Sequence, residues 1–329
     1  MTKSITCANV SNMRKITGLM LIFVFSLQMP AYSFWVRDAK SGKWINPKKA
    51  PKDNPKEQFE LAKGLFEMKL YEDAKREFKK LLSAYPNSRE AAEGQYYLGL
   101  IEELQGNLYE AYQAFQKVIV KYPFSERIQE IIEREYKIGE AFMSGYKRKA
   151  MGVVLPVENP AIEIFTKVIE NSLYGPLAPK AQYKLGLVLK SLMRYAEAEE
   201  AFEKVIANYP DSEWVAAAKF QLAACRAEAS RGPDYDQGAV QEAKGQFEDF
   251  VKEHPDAVLS RDAENQISLL NEREAQASYS IGLFYEKQKA YTSAEVYYND
   301  VIKNYPKSVW AAKALERLHL LDKKRKKTK

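Results

Sequence analysis

The sequence is poor in the residues on which most enzyme chemistry depends. It has two histidines and two cysteines in 329 residues. Cys7 falls in an N-terminal leader, so Cys225 is left without an intramolecular disulfide partner. His254 and His319 sit far apart in helical surroundings. There is no Gly-rich phosphate loop, no HExxH and no GxSxG. Carboxylates are plentiful but are spaced as solvated helix faces. These absences argue against an enzyme and against any cofactor. Fifteen glycines and 14 prolines are too few for a low-complexity chain. Cys225 reads as a small buried apolar residue on a helix.

A true basic excess is also missing. The formal charge is +6, but residues 1–33 and 323–329 carry nine of the basic residues and no acids. Residues 34–322 are left with 41 basic against 44 acidic residues. A nucleic-acid binder carries its excess on the folded surface, so nucleic acid is not an expected partner.

Only one long apolar run occurs, Ile16 to Leu27. Arg14 and Lys15 precede it, Pro30 follows, and Ala31 and Ser33 provide small residues at a cleavage position. This pattern is that of a secretory signal peptide over 1–33, cut after Ser33. The run is short for a membrane span, which needs about 20 residues. Residues 34–54 read as a linker carrying Trp35 and Trp44. Those two can pack on the first hairpin or touch a membrane surface or partner. Residues 323–329, KKRKKTK, read as a solvated basic tail.

What the chain has in abundance is repetition. AFEKVIANYPDS at 201–212 returns as EFKKLLSAYPNS at 77–88, AFQKVIVKYPFS at 114–125 and YYNDVIKNYPKS at 297–308. A weaker copy, QFEDFVKEHPDA, lies at 246–257, with His254 in place of the usual tyrosine. Upstream of Pro210 stand Leu185, Gly186, Leu189, Tyr195, Ala198 and Phe202. These match the 34-residue tetratricopeptide (TPR) pattern nearly position by position. Leu185 and Leu189 share one helix face. Gly186 and Ala198 let two helices approach, and Phe202 is expected to fill the space between hairpins. Pro210 ends the second helix, and Asp211-Ser212 offers a cap for the next.

Six such units predict an all-α, right-handed superhelical solenoid of about six helical hairpins over 55–322, closed by a capping helix near 308–321. Insertions are expected in the third unit, YKRKAMGVVLPVENP at 146–160, and in the fifth, RGPDYDQG at 231–238. Residues 258–288 lack any breaker and predict one long helix. Stacks of this kind bind peptides or proteins along the first helices of the pairs. The inward candidates are Phe59, Phe66, Tyr96, Leu100, Tyr183, Leu187, Tyr279 and Leu283, an aromatic and aliphatic stripe suited to an extended peptide.

The leader, the YPxS endings and the stretch from Pro233 to Ser308 together resemble the outer-membrane assembly lipoproteins of the BamD (YfiO) type. The likeness is best over PDYDQGAVQEAKGQFEDFVKEHPDAVLSRDAENQI at 233–267, then over 273–308, where Ser280, Phe284-Tyr285 and Lys289-Ala290-Tyr291 occupy the family's places. The resemblance covers most of 55–310. It implies a non-catalytic periplasmic scaffold associated with the outer membrane. Its implied partners are an Omp85-class β-barrel insertase and unfolded outer-membrane proteins, and peripheral membrane association is compatible with it. The sequence departs from the family at Phe34, near where a lipidated cysteine is usual, and in having six units rather than five. The alternative is a Tol–Pal-associated coordinator of the CpoB type, which shares the YPxS endings.

Overall fold

The computed structural model describes residues 35–37, 42, 44–46, 50–147, 149–150, 153–154, 158–229 and 237–327. The signal peptide expected over 1–33 lies outside them. The chain divides into two compact units, 1–94 and 95–329.

The first unit opens with a two-residue antiparallel ladder, β1 (Val36–Arg37) with β2 (Trp44–Ile45). Trp35 and Trp44 are both exposed. Helix α1 (Pro55–Glu67) starts cleanly because Asn54 is extended and its side chain accepts from the Glu57 amide at 2.8 Å. Pro55 at the first position has no amide to leave unpaired. α2 (Tyr71–Ala84) folds back on α1 and buries Ala74, Phe78 and Leu81. The Phe59 ring meets Phe78 at 6.0 Å. α3 (Arg89–Leu104) begins in this unit and continues in the second.

In the second unit each helix from Leu108–Lys121 onward packs on the next, and Arg89–Leu104 meets Leu108–Lys121 through Tyr96 on Phe115. α3 pairs with α4 (Leu108–Lys121), and α5 (Ile128–Met143) with α6 (Ala161–Asn171). α7 (Ala178–Ser191) pairs with α8 (Tyr195–Asn208), and α9 (Trp214–Ala229) with α10 (Gln237–Glu253). α11 (Val258–Lys287) pairs with α12 (Tyr291–Asn304), and α13 (Val309–Lys327) follows. With α1/α2 these make six hairpins and a final helix, an all-α TPR solenoid. Helix α13 runs on through Lys327, so much of the expected basic tail is helical.

One contact recurs in hairpin after hairpin. A glycine on the first helix lies under an aromatic ring of the second. A Cβ on Gly99 would come within 2.4 Å of Phe115, and one on Gly186 within 2.5 Å of Phe202. Gly139 under Phe165 and Gly282 under Tyr298 repeat it at 2.8 and 2.7 Å. Phe202 therefore fills space within its own hairpin, and it also shares a core cluster with Ala218 and Cys225 farther along the chain, in keeping with the packing between hairpins that the sequence suggested. The reason is geometric: Gly186 has no side chain, and the ring occupies the room it leaves. All four rings are fully buried, each worth roughly 1.5–3 kcal/mol of transfer free energy.

The turns are as regular as the helices. Within a hairpin the first helix ends on a left-handed residue, either a glycine, Gly106 (φ 78°) or Gly145 (φ 98°), or a residue with a side chain, Lys69 (φ 61°), Met193 (φ 59°) or Lys289 (φ 60°). The next amide closes a six-residue ring, Asn107 to the Glu102 carbonyl at 2.8 Å and Arg194 to the Leu189 carbonyl at 3.0 Å. Between hairpins the YPxS serine caps the following helix. Ser308 Oγ accepts from the Ala311 amide at 3.1 Å, and Ser212 Oγ from Trp214 at 3.2 Å.

One irregular place falls in the insertion expected at 146–160. Lys149–Ala150 (β3) and Val153–Val154 (β4) form a small antiparallel ladder between α5 and α6. Residues 230–236 lie outside the described set. The breaker-free stretch is one helix of 30 residues, α11. Its N-terminal half packs with α10 through Ala263, Ile267 and Leu270. Its C-terminal half packs with α12 and α13 through Ala275 and Tyr279.

Candidate partner-binding site

Sequence periodicity pointed to the first helices of the pairs. The structure places Tyr96, Tyr183 and Tyr279 at one repeat position, but inside the hairpins. Their exposures are 3%, 9% and 8%. Each ring lies on the aromatic of its own second helix: Tyr96 on Phe115 at 5.9 Å, Tyr183 on Phe202 at 5.7 Å, Tyr279 on Tyr298 at 5.5 Å. The expectation of an open aromatic stripe is corrected for these three. Each stands three residues before the glycine, so it caps the same ring that the glycine admits. Tyr136 and Phe220 occupy the same position, on Phe165 and Phe247, and were absent from the expected set.

The other five candidates are half-buried. Leu100, Leu187 and Leu283 pack against the edges of three separate core clusters. Phe59 and Phe66 belong to the first unit, where Phe66 meets Tyr71 at 5.8 Å.

What lies over Tyr96 and Tyr136 is charged, whereas Tyr183 and Tyr279 meet Trp214 and Trp310 at 5.1 and 5.2 Å. Arg127 sits 4.9 Å and Arg134 5.9 Å from the Tyr96 ring. Glu130 binds both cations at 3.0 Å and accepts from the Tyr96 hydroxyl. Arg134 also reaches Glu103 on α3 at 3.0 Å. One hairpin on, Lys184 pairs with Glu140 at 3.4 Å, and Lys180 covers Tyr136 at 5.0 Å and Trp214 at 5.9 Å. Lys190 donates to Gln221 at 2.7 Å. Polar contacts thus stitch α3 to α5, α5 to α7 and α7 to α9.

The electrostatics follow from this packing. Burial, then the hydrogen bond to Glu130, pushes the Tyr96 hydroxyl up to about 12. Burial works against the Glu130 charge, but bonds from Tyr96, Arg134 and Arg127 outweigh it and hold its pKa below the ordinary carboxylate value. Sequence reasoning missed this lattice, because contacts between helices some 30 residues apart leave no short-range pattern.

Cys225 is fully buried and its thiol is pushed up to about 11 by burial, in keeping with a core residue. The His254 ring meets Phe250 at 5.1 Å, tilted by 52°. Among the described residues no three His, Cys, Asp or Glu side chains converge as a metal site. No described helix is long and apolar enough to cross a membrane.

Among the described residues of the second unit, two clefts stand out. One, of about 210 Å³, opens between α9 and α10 beside Lys219, Gln246 and Phe250. The other, of about 340 Å³, lies between α11 and the turn joining α12 to α13.

The hairpins, their glycine-under-aromatic contacts and the capped YPxS turns define a tetratricopeptide-repeat protein. A tetratricopeptide profile matches residues 59–126. The profile of the YfiO family, described as outer membrane lipoprotein, matches residues 158–329. That is just over half of the 329 residues, and the chain belongs to this family.

The chain is also 27% identical over 158 residues to outer membrane protein assembly factor BamD of Rickettsia prowazekii (strain Madrid E). That match spans 48% of this chain and 63% of the relative, less than two thirds of its length. Among solved structures it is similar to the C-terminal part of a TPR repeat-containing protein from Cytophaga hutchinsonii. There the TM-score is 0.37 at 18% identity, covering 80% of this chain and 88% of the other. A tetratricopeptide repeat protein from Parabacteroides merdae superposes with TM-score 0.35 at 16% identity, covering 81% and 98%.

Proposed function

We propose that this protein is a non-catalytic scaffold of the outer-membrane β-barrel assembly machinery, acting in the periplasm at the outer membrane. It binds an Omp85-class insertase, unfolded barrel clients, or both, through its repeat surfaces. The observation that carries this reading is the family match across 158–329. The BamD relative supports the assembly role, and the charged lattice over Tyr96, Tyr136 and Trp214 supports protein recognition. Phe59, Phe66, Leu100, Leu187 and Leu283 remain candidate partner contacts, because they are half-buried and keep apolar surface open.

The test is an affinity pull-down of the tagged mature protein from gently solubilised envelopes, with mass spectrometry of the partners. An Omp85-class barrel is the expected capture. Tol–Pal components without any such barrel would overturn the assembly role and leave the fold untouched.

A further inference from the structure

Residues 34–54 differ in kind from the repeats that follow. They hold six of the 41 basic residues of 34–322 and two of its 44 acids. Residues 55–322 are left with 35 basic against 42 acidic residues. An acidic solenoid is thus preceded by a short basic stretch. That stretch also holds two of the four tryptophans. Trp214 and Trp310 pack on Tyr183 and Tyr279, whereas Trp35 and Trp44 are 55% and 66% exposed.

The β1–β2 ladder puts those two indoles on one face. Arg37 is the cross-strand partner of Trp44, so their side chains share a side of the ladder. Trp35 stands two residues before Arg37 and falls on the same side. Arg37 is exposed, and its Nε donates across the turn to the Gly42 carbonyl at 3.2 Å. The base of the hairpin is tied to the first helical pair. The Ala50 amide donates to the Asn46 carbonyl at 2.8 Å, and the Lys52 amide to Gln58 Oε1 at 2.8 Å. The Tyr85 hydroxyl donates to the Lys52 carbonyl.

We infer that the Trp35–Arg37–Trp44 face seats on an anionic lipid surface. Indole has an apolar body and a polar N–H, and it favours the boundary between membrane and water. Arginine beside it can bury its stem while its head meets lipid phosphates. The lysines of this stretch are spread from Lys40 to Lys52, which suits an extended sheet of negative charge better than one acidic pocket. The acidic remainder is repelled by such a sheet, so the attraction is confined to the hairpin. Attachment of this kind adds apolar burial to electrostatic attraction, and both are present here. The inference rests on the hairpin alone and not on the assembly role.

The test is flotation of the mature chain with phosphatidylcholine vesicles that contain or lack phosphatidylglycerol, their acyl chains brominated to quench tryptophan. Flotation is expected with phosphatidylglycerol, falling as salt rises, together with quenched tryptophan emission. Trp35→Ser combined with Trp44→Ser should weaken binding about tenfold or more and abolish the quenching, with an unchanged helical circular dichroism signal. Arg37→Gln should weaken binding about threefold or more. Flotation with neither vesicle, or equally with both, would overturn the inference. So would salt-sensitive flotation that survives in the double tryptophan variant, since the lysines alone would then carry it. A failed pull-down beside phosphatidylglycerol binding would reject the scaffold reading and leave this surface standing.

Discussion

Glu135 is a buried acid at a position where neighbouring hairpins carry glutamine. Gln95 and Gln182 stand one residue before their tyrosines and donate to the carbonyls of Ala114 and Ala201, each at 3.0 Å. Glu135 stands one residue before Tyr136, is 0% exposed, and receives the Gln116 amide at 3.0 and 2.9 Å. Burial pushes its pKa from an ordinary 4.5 up to about 8, with the Gln116 bond pulling weakly the other way.

The folded protein therefore holds a proton that the unfolded chain releases between pH 4.5 and about 8. Its contribution to stability is fully present below pH 4.5 and is lost as pH rises through that window. At about 1.4 kcal/mol per pH unit, the loss reaches roughly 3 kcal/mol by pH 7. Glu135→Gln removes the titration, keeps the shape and restores an amide donor. Urea unfolding followed by circular dichroism should show the variant gaining about 3 kcal/mol more at pH 7.5 than at pH 4.5. Other titrating groups are common to both proteins and cancel. An equal gain at both pH values, or a variant less stable at pH 7.5, would refute the reasoning.

Three further outcomes follow from the packing. Gly186→Ala places a methyl against the buried Phe202 ring and should cost about 1–3 kcal/mol in the same unfolding assay. Met193→Gly relieves a left-handed backbone and should raise stability by about 1 kcal/mol; no gain would mean that Met193 packs favourably enough to offset its strain. Cys225 should resist iodoacetamide at pH 8 in the folded protein and react fully in urea, since it is buried with a raised pKa.

Much of the fold was legible because each unit repeats its own punctuation. Pro86, Pro123, Pro210 and Pro306 all stand at helix ends, and the missing breaker over 258–288 gave the long helix directly. The candidate site was less legible. Helical period shows that Tyr96 lies on a buried face but does not say whether its neighbour is a ligand or Phe115. The cations over the tyrosines come from other hairpins, and only the fold brings them together. The Glu135 exception was within reach, since aligning the copies on their tyrosines puts it opposite Gln95 and Gln182.

The long helix α11 has a mechanical consequence. At 30 residues it spans about 45 Å, and its two halves belong to two different hairpins. Elsewhere a turn between hairpins can flex and confine a disturbance to one of them. Here no hinge separates the fifth hairpin from the sixth, so a torque applied to α10 tilts α12 and α13 with it. A partner gripping one end of this beam would be felt at the other without any chain of side-chain rearrangements between them.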